Sequence, residues 1–295
     1  MDFNSWLTNK INSIEEYLNN IIKEKSNPQG LIYEAMNYSL LSGGKRLRPV
    51  LLLAAYELFN NNLECVMPFA CSMEMIHTYS LIHDDLPAMD NDDYRRGRLS
   101  NHKKYGEAIA ILAGDGLLNK AFETGLGAVL SYDDNKKALK ALNVIAKSSG
   151  VNGMIGGQVV DMYVHNKIKS LEDLKYMYSL KTGAIIKSSI IAGAILGGAD
   201  EVQLKSLEIY AGKIGLAFQI EDDILDVTST LEKLGKKTGS DIANDKITYL
   251  SFVSIEEAQR QVVQLTKEAT EAMSIFGDKA KYLIELADYL TKRDH

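Results

Sequence analysis

The sequence predicts an all-α protein, a single large helical bundle. Apolar residues recur at helical spacing, whereas segments that alternate apolar and polar residues, as strands do, are absent. All four prolines lie before residue 90, so the rest of the chain can form long, uninterrupted helices. No linker-like stretch and no repeat of about 20–50 residues divides the chain, which predicts one domain over residues 1–295.

Start and stop signals place the helices in order along the chain. Asp133-Asp134 resembles an N-cap, and Ser170 with Asp173 resembles a capping box, as does Ser254 with Glu257. The predicted helices cover about residues 5–24, 29–41, 45–60, 64–86, 106–130, 135–148, 171–196 and 201–228, and two more follow at the C-terminus.

Composition excludes several classes of function. A net charge of −6 argues against a nucleic-acid groove. The most apolar stretch, 183–199, is interrupted by Lys187 and two serines, which argues against a membrane span. The N-terminus lacks the pattern of a signal peptide, and Cys65 and Cys71 have no metal-type spacing. We therefore expect a cytoplasmic protein with reduced cysteines in its core.

An acidic cluster lies inside the apolar run near residue 222. Asp222 and Asp226 are one turn apart on a helix, about 40° around its axis, and Gln219 lies one turn earlier on nearly the same side. Asp223 points about 100° away. A pair of carboxylates in apolar surroundings suits Mg²⁺, which takes one or two protein carboxylates and completes its shell with water and phosphate.

A second acidic cluster follows the apolar run 73–82. Asp84 and Asp90 are six residues apart, a spacing that would place them about 120° apart on a regular helix. Pro87 forbids a regular helix there, so the chain can bulge and bring Asp90 back toward Asp84. We interpret the two acidic clusters as parts of a shared cation site, because buried carboxylates need cations to compensate them.

Basic residues accompany these carboxylates. Arg95 and Arg96 follow the first cluster, and Lys45, Arg46 and Arg48 follow a Gly-Gly pair at a predicted helix N-terminus. Guanidinium groups bind phosphate oxygens in a bidentate manner, and helix N-termini favour anions. Acidic ligands together with basic groups predict a polyphosphate that is bridged by Mg²⁺.

Five motifs in order carry a resemblance to a known family. They are Gly-Gly-Lys-Arg-Leu-Arg-Pro at 43–49, Asp-Asp-x-x-x-x-Asp at 84–90 followed by Arg-Arg-Gly, Gly-Gly-Gln at 156–158, Lys-Thr-Gly at 181–183, and Gln-Ile-Glu-Asp-Asp-x-x-Asp at 219–226. This set resembles the motifs of the trans-isoprenyl diphosphate synthases, in particular the bacterial farnesyl diphosphate synthase branch. The resemblance implies an all-α fold around a central apolar cavity, a homodimer, and no protein nucleophile.

The resemblance also implies a role for each matching residue. Three Mg²⁺ ions would be held by Asp84, Asp90 and Asp222, with support from Asp85 and Asp226. The allylic diphosphate would be bound by Arg95, Lys181, Lys246 and a lysine of the pair Lys236 and Lys237. Isopentenyl diphosphate would be bound by Lys45, Arg48, His77 and Arg96. The oxygens of Thr182 and Gln219 would face the developing allylic cation.

The resemblance also implies that product length depends on the residues four and five positions before the first aspartate. These are Ser80 and Tyr79, and the resemblance implies that Tyr79 closes the cavity at a fifteen-carbon product. His83 is expected to pack, or to orient Asp84. Geranyl and geranylgeranyl diphosphate synthases of the same family remain alternatives. Three other classes are less favoured: a terpene cyclase, a metal phosphohydrolase using His77 with His83-Asp84, and a non-catalytic partner subunit.

Overall fold

The computed structural model describes residues 1–23, 26–164, 168–228 and 247–291. Helices dominate these ranges, and the prediction of an all-α fold is confirmed. The α-helices are α1 (Phe3–Ile21), α2 (Gly30–Leu40), α3 (Leu47–Glu57), α4 (Met67–Asp84), α5 (Asn101–Tyr105), α6 (Glu107–Ser131), α7 (Asn135–Ser149), α8 (Met154–Val159), α9 (Leu171–Tyr178), α10 (Ala184–Gly197), α11 (Glu201–Thr228), α12 (Ile255–Ala272) and α13 (Lys281–Thr291).

One small hairpin corrects the prediction that the chain has no strands. Strand β1 (Tyr94–Arg95) pairs antiparallel with β2 (Arg98–Leu99), and Arg96 and Gly97 form the turn with positive φ angles of 54° and 73°. Two residues with φ > 0 are typical of the turns that match the twist of a hairpin. Strands of two residues are too short to show alternation, so the periodicity of the sequence could not reveal them.

The predicted helix starts agree with the hydrogen bonds at the caps. The Asp134 carboxylate accepts a backbone N–H at the start of α7. Ser170 and Asp173 form the predicted reciprocal capping box. The Ser254 hydroxyl accepts the N–H of Glu257, but the Glu257 carboxylate accepts from side chains further along α12, so this cap has only one of the two bonds.

The predicted helix over 171–196 is interrupted. A π-helical turn (Ser179–Gly183) separates α9 from α10, and a second π-helical turn (Val160–Val164) follows α8. Such turns insert one extra residue into a helix and are frequent at functional sites. The stretch Leu171–Gly197 is long and apolar enough to cross a bilayer, and 56% of its most apolar window is buried within the chain. Core helices of soluble proteins share these properties.

The chain divides into two compact units, residues 1–53 with 62–142 and residues 54–61 with 143–295. In the first unit α4 is almost completely buried, and it packs against α6 through small residues. The Ser72 hydroxyl donates to the Ala121 carbonyl oxygen at 2.8 Å. A methyl group at Gly125 would lie 2.7 Å from Leu142, so glycine permits the close packing there.

The second unit is built on α11, which packs against α10 and α12. Its apolar core contains Ile168, Leu174, Met177, Tyr178, Ala217, Ile220, Ile224, Tyr249, Ala258, Val262 and Leu265. The prediction of one domain stays a prediction. Cys71 is buried as expected, whereas Cys65 is only half-buried, and both are free thiols.

Candidate active site

The first aspartate motif lies where α4 ends. The helix stops at Asp84, and Pro87 follows on the exposed side of a tight turn. The backbone N–H of Asp90 donates to the carbonyl oxygen of Asp84 at 2.8 Å, and Asn91 closes the turn by donating to Leu86 at 3.1 Å. The predicted return of Asp90 beside Asp84 is therefore confirmed for the backbone, and it overcomes the unfavourable spacing of six residues.

The middle aspartate of this motif is turned toward the protein. Asp85 is 2% exposed, and its carboxylate accepts from Nε of Arg95 at 3.0 Å and from a terminal nitrogen of the same guanidinium. Arg95 also donates to Asp92 at 3.2 Å. Burial raises the pKa of Asp85, while the bond to Arg95 opposes that rise. The hairpin is thus attached to the end of α4 by a partly buried ion pair.

Arg96 lies at the turn of the hairpin and binds the glycine-rich loop before α3. Its guanidinium donates to the Ser42 hydroxyl at 3.3 Å and to the Gly43 carbonyl oxygen. A Cβ atom at Gly44 would lie 2.7 Å from the guanidinium carbon, and the φ of Gly44 is +127°. Only glycine combines this backbone conformation with such a close approach, which gives a physical reason for the Gly-Gly pair.

His77 is surrounded by cationic groups. Burial lowers its pKa well below the usual value of 6.5, and Arg48, Arg96, Arg46 and Arg95 lower it further. The imidazole is therefore neutral at pH 7, and its surroundings are strongly positive. A region of this kind is suited to bind an anion. The roles of His77, Arg48 and Arg96 in substrate binding stay predictions.

Arg46 differs from the other basic residues of its motif. The sequence predicts it near the phosphate, but its side chain is buried and bonded to two carboxylates, Glu15 and Glu74. Lys45 and Arg48 on either side of it are half-buried. The motif therefore contains one basic residue that is buried in the protein core and two that are half-buried.

The second aspartate motif lies near the C-terminal end of α11, which is unbroken over its 28 residues. Asp222 is half-buried and Asp226 is 9% exposed. Asp223 is buried, and its Oδ2 accepts the hydroxyl of Tyr178 at 2.5 Å and the backbone N–H of Tyr249 at 2.6 Å. These bonds agree with the predicted difference in direction, and they give Asp223 a structural role that sequence reasoning missed.

The lysine–threonine–glycine motif lies on a π-helical turn. Lys181 donates to the Asp161 carboxylate at 2.5 Å, and Asp161 lies on the π-helical turn Val160–Val164. A Cβ atom at Gly157 would lie 2.3 Å from the backbone nitrogen of Lys181, so glycine is needed where the two segments pack. The contact explains Gly157 in the Gly-Gly-Gln motif, and Asp161 is a further residue that sequence reasoning did not single out.

The predicted residues for product length have well-defined environments. Tyr79 is 5% exposed, and burial together with the nearby Asp84 carboxylate raises its pKa to about 12. Its hydroxyl has no hydrogen-bond partner in the described part of the chain. Its ring contacts the His83 ring edge-on at 5.7 Å between centroids. The Ser80 hydroxyl donates to the His77 carbonyl oxygen at 2.9 Å.

His83 packs onto α6. Its Nε2 lies 3.1 Å from the Ile111 carbonyl oxygen and 3.8 Å from Asp115. A Cβ atom at Gly114 would lie 2.1 Å from the same ring, so the imidazole occupies the space that this glycine leaves. Of the two alternatives for His83, packing agrees with these contacts, because its ring bonds to α6.

The carboxylates at 84, 90, 222 and 226 are hard oxygen donors, which suit Mg²⁺. Within residues 1–23, 26–164, 168–228 and 247–291, no group of three or more His, Cys, Asp or Glu side chains is gathered closely enough to hold a metal ion. The shared cation site therefore stays a prediction. The predicted diphosphate ligands Lys236, Lys237 and Lys246 lie outside the described residues.

The same chain was compared with known proteins. The family model described as "Polyprenyl synthetase" matches residues 29–285. A chloroplastic geranylgeranyl pyrophosphate synthase of Capsicum annuum is 46% identical over 100% of this chain and 79% of its own length. A farnesyl diphosphate synthase of Bacillus subtilis is 42% identical over 99% of this chain and 98% of its own.

A solved structure has the same fold. The geranyltransferase of Helicobacter pylori, complexed with magnesium and isoprenyl diphosphate, superposes with a TM-score of 0.85 at 32% identity. The match covers 98% of this chain and 96% of that protein. Sequence and structure comparisons therefore agree over nearly the whole chain.

Proposed function

The chain belongs to the polyprenyl synthetase family and is a prenyltransferase, and we propose that it makes farnesyl diphosphate. It would join isopentenyl diphosphate head to tail to dimethylallyl diphosphate and then to geranyl diphosphate. This assigns it a step of isoprenoid biosynthesis. The observation that carries the choice of product is the buried Tyr79, five residues before the first aspartate of the motif at α4.

We propose that the reaction requires Mg²⁺, with three ions for each active site. Asp84, Asp90 and Asp222 would be its ligands, with Asp85 and Asp226 in support. The donor chemistry fits, because carboxylates and diphosphate oxygens are the ligands that this ion prefers. When bound, Mg²⁺ neutralises the diphosphate and makes it a better leaving group. The pairing of Asp85 with Arg95 supports an indirect role for this aspartate.

The basic residues bind and orient the two substrates. Lys45, Arg48, His77 and Arg96 would bind isopentenyl diphosphate, and the positive surroundings of His77 support this assignment. Arg95, Lys181, Lys246 and one lysine of the pair Lys236 and Lys237 would bind the allylic diphosphate. Binding both substrates in a fixed orientation increases the reaction rate, because the reacting carbons are already held close together and aligned.

The chemistry then needs no protein nucleophile. The allylic C–O bond breaks and its electron pair leaves with the diphosphate. The alkene of isopentenyl diphosphate attacks the allylic cation and forms the new C–C bond. This attack leaves a cation on the tertiary carbon of the former isopentenyl unit. The carbon next to it loses a proton to the departed diphosphate, and the electron pair of the broken C–H bond forms the new double bond. The oxygens of Thr182 and Gln219 would stabilise the cation electrostatically, and apolar walls would exclude water.

Geranylgeranyl diphosphate is the second candidate product. The specific observation in its favour is the 46% identity to the Capsicum annuum enzyme, which exceeds the identity to the farnesyl diphosphate synthase of Bacillus subtilis.

A direct assay distinguishes the two candidate products. The purified chain is incubated with isopentenyl and dimethylallyl diphosphates, and the products are measured by mass spectrometry with Mg²⁺ and after its removal by EDTA. A dominant fifteen-carbon product that requires Mg²⁺ is expected, and a twenty-carbon product would refute the assignment.

Substitution of Tyr79 tests the structural basis of product length. Tyr79→Ala removes a buried ring, so the cavity that it is proposed to close becomes deeper and the products become longer than fifteen carbons. Tyr176→Ala is the matched control, because Tyr176 is 61% exposed on α9 and no role is proposed for it. An unchanged fifteen-carbon product from the Tyr79 variant would show that the product length is set elsewhere.

We also propose a cytoplasmic homodimer. The small residues of 183–199 would allow close packing at an interface, but α10 is buried within the chain and offers little surface to a second copy. Helix α6 instead exposes Ile111, Leu112, Leu126 and Leu130, which are 44–83% exposed. A row of exposed large apolar residues is typical of an association surface. Analytical ultracentrifugation of the purified chain measures its oligomeric state.

A further inference from the structure

A cluster around Arg46 ties several helices of the first unit together. The Arg46 residue is 2% exposed although it is an arginine. Its Nε donates to Glu15 on α1 at 2.6 Å, and one terminal nitrogen donates to Glu74 on α4 at 2.7 Å. The other terminal nitrogen donates to the carbonyl oxygen of Leu40, the last residue of α2, at 2.7 Å. One side chain therefore binds three different helices.

The backbone of Arg46 is also unusual. Its φ is +48°, in the left-handed region that is unfavourable for residues other than glycine. Its carbonyl oxygen accepts the N–H of Val50 at 3.1 Å, so Arg46 directly precedes the first turn of α3. This conformation directs the side chain into the core. The three hydrogen bonds of the guanidinium, two of them to carboxylates, offset the cost.

The charge of Arg46 is compensated locally. Burial alone would lower its pKa, but Glu74 and Glu15 raise it above the ordinary value, so the guanidinium is permanently charged. Two carboxylates face this one cation and compensate its charge. Arg46 still lowers the pKa of His77, but Arg48 and Arg96 lower it more, so these two contribute most of the positive surroundings there.

We propose that Arg46 is a positioning residue for isopentenyl diphosphate. It fixes the loop between α2 and α3 to α1 and α4, and it thereby holds Lys45 and Arg48 where they bind the diphosphate. Arg46 itself does not touch the substrate. The assignment of Lys45 and Arg48 as substrate ligands rests on the proposed function, whereas the contacts of Arg46 do not.

The test compares two variants of the cluster with a matched control. Arg46→Met removes the guanidinium, and Glu15→Gln weakens one of its partners at a position whose side chain is 29% exposed. Arg260→Met is the control, since Arg260 also bonds a glutamate at 2.6 Å but its side chain is 74% exposed. For each protein the KM of both substrates, kcat and the melting temperature are measured. Binding of inorganic diphosphate is measured by calorimetry.

A positioning role predicts a selective effect. Arg46→Met should raise the KM of isopentenyl diphosphate about tenfold or more and leave the KM of the allylic diphosphate within about twofold. Glu15→Gln should also raise the KM of isopentenyl diphosphate, but by less. Arg260→Met should match the wild type. If only the melting temperature falls and neither KM changes, the role is purely structural and the proposal is wrong.

Further outcomes are also decisive. If Arg46 bound the substrate directly, Glu15→Gln would leave the KM unchanged or lower it, because the guanidinium would be less constrained. If Arg46→Met does not fold, Glu15→Gln decides between these results. Absence of any prenyl product from the wild type would refute the proposed function. In that case, weaker binding of inorganic diphosphate to Glu15→Gln than to the wild type would still support the role of Arg46. Equal binding of inorganic diphosphate to the two proteins would overturn that role.

Discussion

In the first aspartate motif the helix stops at Asp84 and the chain turns back through Pro87, whereas the second motif lies within the unbroken helix α11. The difference follows from spacing. Aspartates four residues apart share one side of a regular helix, so Asp222 and Asp226 need nothing more. Aspartates six residues apart do not, and a backbone bond of 2.8 Å from Asp90 to Asp84 brings them together.

The two motifs have one arrangement in common. In each, the second aspartate of the pair points away from the others and bonds to the protein. Asp85 pairs with Arg95 of the hairpin, and Asp223 accepts the Tyr178 hydroxyl and the Tyr249 amide. Asp85 and Asp223 thus fix the backbone at their positions, and we expect the preceding aspartates, Asp84 and Asp222, to bind the cation.

The largest expected effect comes from the first aspartate of each motif. Asp84→Ala and Asp222→Ala should each lower kcat by about a thousandfold, because loss of an ion that contributes several kcal/mol to the transition state has that size. The melting temperature should change little. Asp133→Ala, at an exposed aspartate before α7, is the control. Turnover near that of the wild type in either variant would show that the two motifs are not functionally equivalent.

The second aspartates should differ in their effect on stability. Asp223→Ala leaves a buried hydroxyl and a buried amide without their acceptor, which should cost about 3–4 kcal/mol of unfolding free energy. Asp85→Ala should cost about 1–2 kcal/mol, because Arg95 is partly exposed and keeps its bond to Asp92. Urea unfolding measures both.

Tyr178→Phe is the control for this comparison. It removes only one of the two donors to Asp223, so its cost should be about 1 kcal/mol. Equal losses for Asp223→Ala and Asp85→Ala would mean that the two aspartates are held equally firmly, which the contacts of this structure contradict.

The smallest expected effects come from backbone conformation. Asn91, in the turn of the first motif, has a φ of +53°, while Glu221 lies within α11. Asn91→Ala should therefore cost about 1 kcal/mol and Asn91→Gly close to nothing. The order should reverse at Glu221, where glycine should cost about 1 kcal/mol more than alanine. Urea unfolding of the four variants checks this, and the same order at both positions would contradict the difference between turn and helix.

Several features could be predicted because they depend on neighbours in the chain. The periodicity of the helices, the cap at Ser170, the turn after Pro87 and the different directions of Asp222 and Asp223 all follow from local geometry. The two-residue strands and the π-helical turns were missed for a related reason. Each involves too few residues to change the hydrophobic pattern on which the prediction depends.

The sequence by itself determined the helical architecture and the order of the acidic and basic motifs, because spacing and side-chain chemistry are local properties. Only the tertiary structure decided which of these charged residues point inward. Arg46 and Glu15 are 31 residues apart, and Asp223 and Tyr178 are 45 apart. Whether a charge is solvated or paired in the core depends on such distant partners, because burial of a charge is tolerated only where folding supplies its counterion or hydrogen-bond donor.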